Sequence, residues 1–125
     1  MNLVDSSGWL EFFADGPNAR FFATPLKNVD ELVVPTISIY EVFKSVSRQR
    51  DESAGLQAVA VMKQGQVIDL TTNISMIAAK LSLELSIPMA DSIILATGSL
   101  YQATVWTQDA DFKGIENVKY IKKKK

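Results

Sequence analysis

Four carboxylates, widely separated along the 125-residue chain, each stand where a buried segment begins or ends. Asp5 follows the apolar run NLV, and Asp109 comes two residues after the apolar run TVWT. Glu41 and Asp91 fall near the starts of two apolar helical segments, TISIYEVFKSV and IPMADSIILATG. Carboxylates that meet repel one another and raise one another's pKa unless a cation neutralises them. Because an all-oxygen site suits a hard ion, the sequence predicts Mg²⁺ or Mn²⁺ as the cofactor.

Each acid also has a structural explanation when it is taken alone. Asp91 could complement a helix macrodipole, and Asp5 could cap the first helix. Asp109 could form an Asx-turn, and Glu41 could lie on an exposed helix face. None of these explanations predicts that all four acids fall at one edge of the same sheet, which is why that placement favours a shared site.

The chain contains no Cys and no His, and both absences narrow the possible chemistry. Disulfides, thiolate zinc sites and cysteine nucleophiles are excluded. Imidazole bases and Ser-His nucleophilic sites are excluded as well. If the protein is an enzyme, then carboxylates, hydroxyls, amines or a metal ion must carry the reaction.

Four consecutive lysines, Lys122–Lys125, end the sequence. The net charge is −1, so subtracting these four positive charges leaves the rest of the chain at −5. An acidic body with a basic tail is not typical of a non-specific duplex binder. The tail could contact RNA phosphates, although such a run is more often a solvated chain end.

Apolar runs alternate with helical periodicities along the chain. Strands are predicted at residues 2–4, 31–38 (ending near Pro35), 66–70, 104–107 and 118–121. Helices are predicted at residues 6–16, 18–28, 39–50, 52–65, about 72–85 and after Pro88. We expect Ser6 or Ser7 to cap the first helix, Pro25 to interrupt or end the second, and Gly65 to form a left-handed cap on the fourth.

Strands that are continuous apolar runs separated by helices indicate a mostly parallel sheet covered on both faces. The predicted fold is therefore one α/β three-layer sandwich with a central five-stranded sheet over residues 1–121, followed by the tail at 122–125. Ligands of such sheets bind beyond the carboxyl ends of the strands, where Asp5 and Asp109 are expected.

No membrane association is expected from the sequence. No apolar run approaches the roughly 18–20 residues that span a bilayer. The N-terminus lacks the basic and then apolar pattern of a signal peptide. The predicted location is therefore the cytoplasm.

Four segments resemble, in order and spacing, the motifs of PIN-domain ribonucleases, particularly the VapC-type toxins of toxin–antitoxin pairs. The segments are MNLVDSSGWL, TISIYEVFKSV, IPMADSIILATG and TVWTQDADF. The resemblance extends from residue 2 to about residue 112. Its most specific part is PMADSIILATG followed closely by T-x-D-x-D-F.

The resemblance implies a role for each matching residue. Asp5, Asp91 and Asp109 match family acids that hold a divalent ion directly or through water. Glu41 matches the remaining family acid, which either coordinates the ion directly or contacts it through another ligand. The implied supporting residues are Ser6 after the first acid, Thr107, which helps shape the site, and Asp111, which accompanies the fourth acid.

The resemblance also implies an activity and partners. The family cleaves RNA phosphodiester bonds with metal-activated water, which implies 3′-hydroxyl and 5′-phosphate ends and a single-stranded or looped RNA substrate. It implies a homodimer that a small cognate antitoxin neutralises. The family often has a basic residue where Gln108 stands here, so the residues that hold RNA stay unassigned among five candidates: Arg20, Lys44, Arg48, Arg50 and Lys113.

Other functions fit the sequence less well. A non-catalytic PIN-like module that binds RNA or protein is the main alternative, but a scaffold has no need for a repelling set of acids. A phosphotransfer domain is disfavoured because Asp5-Ser6-Ser7 lacks a second acid and Asp69 lies inside its strand. A module that only binds other proteins leaves the pattern of acids unexplained.

Overall fold

One five-stranded sheet forms the centre of the computed structural model, which describes residues 1–124. Its strands are β1 (Asn2–Val4), β2 (Leu32–Pro35), β3 (Gln66–Ile68), β4 (Thr104–Thr107) and β5 (Val118–Tyr120). The strand order is β3-β2-β1-β4-β5, and every neighbouring pair is parallel. The predicted sheet is confirmed, and its first strand is central.

Helices cover both faces of this sheet. They are α1 (Ser6–Phe13), α2 (Ala19–Lys27), α3 (Thr36–Gln49), α4 (Glu52–Met62), α5 (Thr72–Leu85) and α6 (Met89–Leu100). Short 3₁₀ turns occur at Val29–Glu31 and Ala110–Phe112. Helices α1 to α4 pack on one face and α5 and α6 on the other, which gives the predicted three layers.

Alternation along the strands divides the core into two parts. Leu3 and Val33 pack with residues of α5 and α6, whereas Val4 and Val34 pack with residues of α1 to α4. Because the central strands are covered on both faces, successive residues such as Leu3-Val4 and Val33-Val34 are apolar and buried, which explains the continuous apolar runs in the sequence. Helix α6 is buried throughout its middle, from residue 92 to residue 98.

Two local predictions about helices are wrong. The cap of α1 is not Ser6 or Ser7 but Asp5, which was the structural explanation given for that acid, because its carboxylate accepts the first-turn N–H of Gly8. Helix α2 runs through Pro25 and ends two residues later. A proline this close to the end of a helix removes little of its hydrogen bonding.

The predicted left-handed cap at Gly65 is also wrong. Among residues 1–124, the glycine with a positive φ is Gly114, at 83°. A Cβ atom at Gly65 would lie 2.9 Å from Cγ2 of Val34 and 3.1 Å from the carbonyl oxygen of Leu32. Glycine is therefore required here because the chain passes close over β2, rather than because of its backbone angles.

Two features bear on the sequence predictions for the membrane and the tail. Within residues 1–124, no single helix has the length and apolar content to cross a membrane; α5 and α6 reach both only as a pair bent by 116°. Lys122, Lys123 and Lys124 are exposed, and Lys125 lies outside the described residues.

Candidate active site

Asp5 directly follows the central strand β1 and is almost completely buried, with 2% of its surface exposed. Its Oδ1 accepts hydrogen bonds from the N–H of Gly8 at 2.9 Å and from the hydroxyl of Ser7 at 2.8 Å. Its Oδ2 accepts a hydrogen bond from the hydroxyl of Thr107 at 2.6 Å. One carboxylate therefore caps α1 and connects β1 to the neighbouring strand β4.

The surroundings of Asp5 act on its pKa in opposite directions. Burial is the largest effect and raises the pKa of Asp5, and the hydrogen bonds from Thr107, Gly8 and Ser7 lower it. The charge of Asp109 raises it further, so that the pKa of Asp5 is about 6. Burial therefore outweighs the three hydrogen bonds and leaves the pKa of Asp5 above that of an ordinary aspartate.

The end of β4 places a second acid beside the first. Thr107 is fully buried, and its hydroxyl accepts the N–H of Asp109 at 2.9 Å while donating to Asp5. Asp109 Oδ1 then accepts the N–H of Asp111 at 2.9 Å. Asp109 therefore forms the Asx-turn that was considered for it from the sequence. The same turn places Asp111 beside it at the site.

Three carboxylates form what we call the acidic cluster: Asp91, Asp109 and Asp111. Each offers an oxygen, and these oxygens all lie within 4.8 Å of one another. Asp91 and Asp109 are half-buried, whereas Asp111 is exposed. Asp91 is supplied by the first turn of α6, and the other two acids follow β4.

The acidic cluster shifts the ionisation of Asp91. Partial burial is the largest cause, followed by the charge of Asp109 and a hydrogen bond with Asp111. The charges of Asp111 and Asp5 add to these effects, and together they raise the pKa of Asp91 to about 7. The pKa of Asp91 therefore depends on all the other aspartates of the site, including the buried Asp5.

No lysine or arginine forms a salt bridge with the acidic cluster within the described part of the chain. Within residues 1–124, the one salt bridge joins the Met1 ammonium group to Glu31 at 3.6 Å, away from the acidic cluster. Grouped oxygen ligands without a neighbouring Lys or Arg suit a hard divalent cation, which would relieve their repulsion. The residues present therefore fit the Mg²⁺ or Mn²⁺ that the sequence predicts.

Glu41 reaches this region through the residue that follows Asp5. It lies half-buried in the second turn of α3, and its Oε1 accepts a hydrogen bond from the hydroxyl of Ser6 at 2.7 Å. Because α3 begins at Thr36, three residues earlier than predicted, Glu41 lies one turn further from the helix start than expected. Ser6 thus orients Glu41, as Thr107 orients Asp5.

The structure distributes the predicted site residues over connected positions. Asp91 and Asp109 offer oxygens within 4.8 Å of each other, and Asp111, predicted as a supporting acid, joins them. Asp5 is not among the acids grouped within 4.8 Å, but it is connected to Asp109 through Thr107. Glu41 is held by Ser6 next to Asp5.

Two buried amide side chains lie at this edge of the sheet. The sequence does not predict a role for Asn18, and it leaves Gln108 unexplained. Oε1 of Gln108 accepts a hydrogen bond from Nδ2 of Asn18 at 2.9 Å, and Nε2 of Gln108 donates to the carbonyl oxygen of Ser7 at 3.5 Å. Asn18 and Gln108 are 2% and 5% exposed. Gln108 therefore points into the protein, where a basic side chain would be poorly solvated. No local pattern marks Asn18, because its partner lies 90 residues away.

Comparison with known proteins places this geometry among related folds. A family model described as "PIN domain" matches residues 3–118 of the chain. No curated protein matches the chain in sequence.

Solved structures match over nearly the whole chain. A toxin–antitoxin complex from Klebsiella pneumoniae has a TM-score of 0.79 and 22% identity, covering 95% of this chain and 96% of that one. VapC20 of Mycobacterium tuberculosis, described as a sarcin–ricin loop cleaving toxin, has a TM-score of 0.76 and 14% identity, covering 93% and 95%. DNA-bound VapBC from Salmonella typhimurium has a TM-score of 0.74 and 14% identity, covering 98% of each chain. These likenesses establish a shared fold.

Proposed function

Because the chain belongs to the PIN domain family, we propose that it is a divalent-metal-dependent endoribonuclease that acts as a VapC-like toxin. The observation that carries this proposal is the convergence of Asp91, Asp109 and Asp111 within 4.8 Å, with no Lys or Arg paired to them among residues 1–124. A repelling group of acids destabilises a fold unless a cation binds there, so its presence favours a functional site.

Asp91 and Asp109 would hold one Mg²⁺ or Mn²⁺, with Asp5 and Glu41 contributing directly or through water. Asp111 is a further ligand candidate because its oxygen lies in the same group. When bound, such an ion lowers the pKa of a coordinated water and offsets negative charge on the phosphate. This chemistry supplies the nucleophile that a chain without His otherwise lacks.

The side chains around the acids have positioning roles in this proposal. The Thr107 hydroxyl donates a hydrogen bond to the Asp5 carboxylate, and the Ser6 hydroxyl, at the start of α1, donates one to Glu41. The Asx-turn of Asp109 fixes Asp111 beside it. These hydrogen bonds set the acids in place before substrate arrives, which is the arrangement that electrostatic stabilisation requires.

The proposal includes partners that the fold likenesses support. Structures of similar fold are described as a toxin–antitoxin complex and as VapBC, and a small antitoxin is accordingly the proposed partner of this chain. One neighbour is described as cleaving a loop, which agrees with the single-stranded or looped RNA expected here. A homodimer and a cytoplasmic location stay predictions, and size-exclusion chromatography with light scattering tests the dimer.

The direct test is cleavage of an end-labelled RNA by the purified chain with Mn²⁺ or with EDTA. We expect cutting with Mn²⁺ only, with 5′-phosphate and 3′-hydroxyl ends, and at least a hundredfold loss in Asp91→Asn. Asp69→Asn is the matched control, because Asp69 is exposed and lies outside the acidic cluster. Cleavage in EDTA, or 2′,3′-cyclic phosphate ends, would rule out metal-activated water. RNA binding without cutting would support the non-catalytic alternative.

The toxin part has its own test in cells. Induced expression of the chain in a bacterial host should arrest growth, whereas expression of the Asp91→Asn variant should not. Co-expression of a small protein encoded immediately upstream should restore growth. If cells that express the active chain grow normally, then the toxin role is wrong and only the nuclease activity is retained.

A further inference from the structure

The C-terminal lysine segment begins at the edge of the candidate active site. Beyond β5, the N–H of Ile121 donates to the carbonyl oxygen of Thr107 at 3.0 Å. The carbonyl oxygen of Lys122 then accepts a hydrogen bond from Nδ2 of Asn18 at 3.1 Å. Two hydrogen bonds therefore attach the start of this segment to the body of the protein.

These attachments involve the residues that build the site. Thr107 is the residue whose hydroxyl holds Asp5, and the Asn18 amide also binds Gln108, which precedes Asp109. Adjacent strands lie about 4.8 Å apart, so the backbone at Ile121 lies about one strand spacing from Thr107. The lysine segment thus leaves the sheet beside the acids rather than at a remote chain end.

Positive charge accumulates on this side of the molecule. Lys122, Lys123 and Lys124 are exposed, and Arg20 is exposed in the first turn of α2. In the part of the chain that the structure describes, no carboxylate lies within 4 Å of any of these charged groups. Gln108 is neutral and buried, so the turn that carries Asp109 supplies no cation of its own.

An open cleft of about 670 Å³ connects the two sources of charge. Arg20 and Lys124 lie in its lining together with the partly buried ring of Phe21. Asp15 contributes a carboxylate to the same lining. A groove that combines cations with an aromatic ring is the kind of surface that binds single-stranded nucleic acid, with phosphates on the cations and bases against the ring.

We infer that Lys122, Lys123, Lys124 and Arg20 bind the phosphate backbone of single-stranded RNA next to the bond that is cut. The inference rests on the proposed nuclease function and assigns its RNA-binding surface. It reconciles an acidic body with a polyanionic substrate, because the positive charge is concentrated where the strand would leave the acidic cluster. The lysine run is thus a substrate-binding element rather than only a solvated end.

The test compares two triple variants that lose the same charge. One replaces the tail lysines (Lys122→Gln, Lys123→Gln and Lys124→Gln), and the other replaces exposed lysines elsewhere (Lys27→Gln, Lys63→Gln and Lys80→Gln). Binding of a labelled 12-nucleotide single-stranded RNA is measured on an Asp109→Asn background, so that the RNA stays intact. Fluorescence anisotropy is recorded over a series of salt concentrations.

We expect the tail variant to bind about tenfold to hundredfold more weakly at 0.1 M salt, and the control variant to stay within about twofold. The slope of log K against log salt should become shallower by about 2 in the tail variant, since each lost phosphate contact contributes about 0.7. With the acids intact, the tail variant should raise KM for a long RNA and leave kcat within about twofold. Equal losses in the two variants, or no loss in either, would overturn the inference.

The outcomes separate this inference from the proposed function. If the chain binds RNA through the tail but cuts no RNA under any metal condition, then the nuclease proposal fails and the RNA-binding role of the tail stands. If the chain cuts RNA and the tail variant binds and cuts like the parent, then the inference fails and the nuclease proposal stands. A parent chain that binds no RNA overturns the inference.

Discussion

The hydroxyl of Thr107 lies 2.6 Å from Oδ2 of Asp5 and joins the ends of two adjacent parallel strands. The same oxygen accepts the N–H of Asp109 at 2.9 Å, so one side chain holds two acids in register. The bond forms because β4 pairs directly with β1, which brings residues from the two ends of the chain together. The alignment of Asp5 with Asp109 therefore depends on this single hydroxyl.

Replacing Thr107 with valine should show what the hydroxyl contributes. Thr107→Val keeps the shape but leaves Asp5 Oδ2 and the Asp109 N–H without this partner, so we expect the free energy of unfolding to fall by about 1–3 kcal/mol. The pKa of Asp5 should rise above about 6, because the Thr107 hydrogen bond lowers it. Urea denaturation and NMR titration measure the two effects. Thr107→Ser keeps the hydroxyl and is the control; equal effects in both variants would contradict the role of the hydrogen bond.

The stability of the metal-free protein should depend on pH through Asp5 and Asp91. Their pKa values of about 6 and about 7 in the fold exceed the ordinary value of 3.8, so folding favours their protonated forms. Their contribution is complete below about pH 4 and is lost as the pH rises through 6 and 7. For buried Asp5 the loss is about 3 kcal/mol. Chemical denaturation in EDTA should therefore give a lower stability at pH 8 than at pH 5.

A variant isolates the part of this pH dependence that comes from Asp91. Asp91→Asn removes one titrating group. As the pH rises from 5 to 8, the free energy of unfolding of this variant should therefore fall less than that of the parent. Asp69→Asn should leave the pH dependence of the parent unchanged. If the parent loses less free energy of unfolding than Asp91→Asn between pH 5 and pH 8, then the direction of the Asp91 pKa shift is wrong.

Divalent ions should stabilise the chain through the acidic cluster. Binding to the folded state alone raises the melting temperature, and relief of repulsion between Asp91 and Asp109 contributes to the affinity for the ion. We expect Mn²⁺ at 1 mM to raise the melting temperature at pH 8 by several degrees, and Asp109→Asn to lose most of that rise. Differential scanning fluorimetry with Ca²⁺ and monovalent salt as comparisons measures it. A rise that persists in Asp109→Asn would place the ion elsewhere.

Introducing a basic residue at position 108 should destabilise the fold. Gln108 is buried against Asn18, so Gln108→Lys would bring an ammonium group against the amide hydrogens that Asn18 donates. We expect the free energy of unfolding to fall by roughly 3–5 kcal/mol, since the groups hydrogen-bonded to Gln108 are the neutral Asn18 amide and Ser7 carbonyl and would leave the buried charge without a counter-ion. Gln108→Met removes the hydrogen bonds without adding charge and should cost about 1–2 kcal/mol. If lysine is tolerated as well as methionine, then position 108 is not the buried contact described.

Much of the architecture could be predicted because its determinants are local. Continuous apolar runs such as LVV and TVW indicate strands covered on both faces, and α5 spans Thr72–Leu85, the range predicted for it. The five-stranded sheet and the PIN family are both confirmed. The roles of Asp5, Glu41, Asp91 and Asp109 stay predictions until the variants are measured.

Other features were beyond local patterns because they depend on packing between distant segments. Gly65 looked like a helix cap, but its role comes from the close approach of β2. Asn18 carries no local signal, although it binds both Gln108 and the backbone of Lys122. Such contacts form only when loops from opposite ends of the chain meet at one edge of the sheet.

By itself the sequence determined the elements, the absence of imidazole and thiol chemistry, and the acids available to a metal ion. The tertiary structure decided how those acids are arranged: Asp111 joins Asp91 and Asp109, and Asp5 turns inward to cap α1 and bind Thr107. The physical reason is that side-chain periodicity and capping act within a few residues, whereas strand order sets which carboxylates come within a few ångströms of each other. The pairing of β1 with β4 is a long-range choice, and the site depends on it.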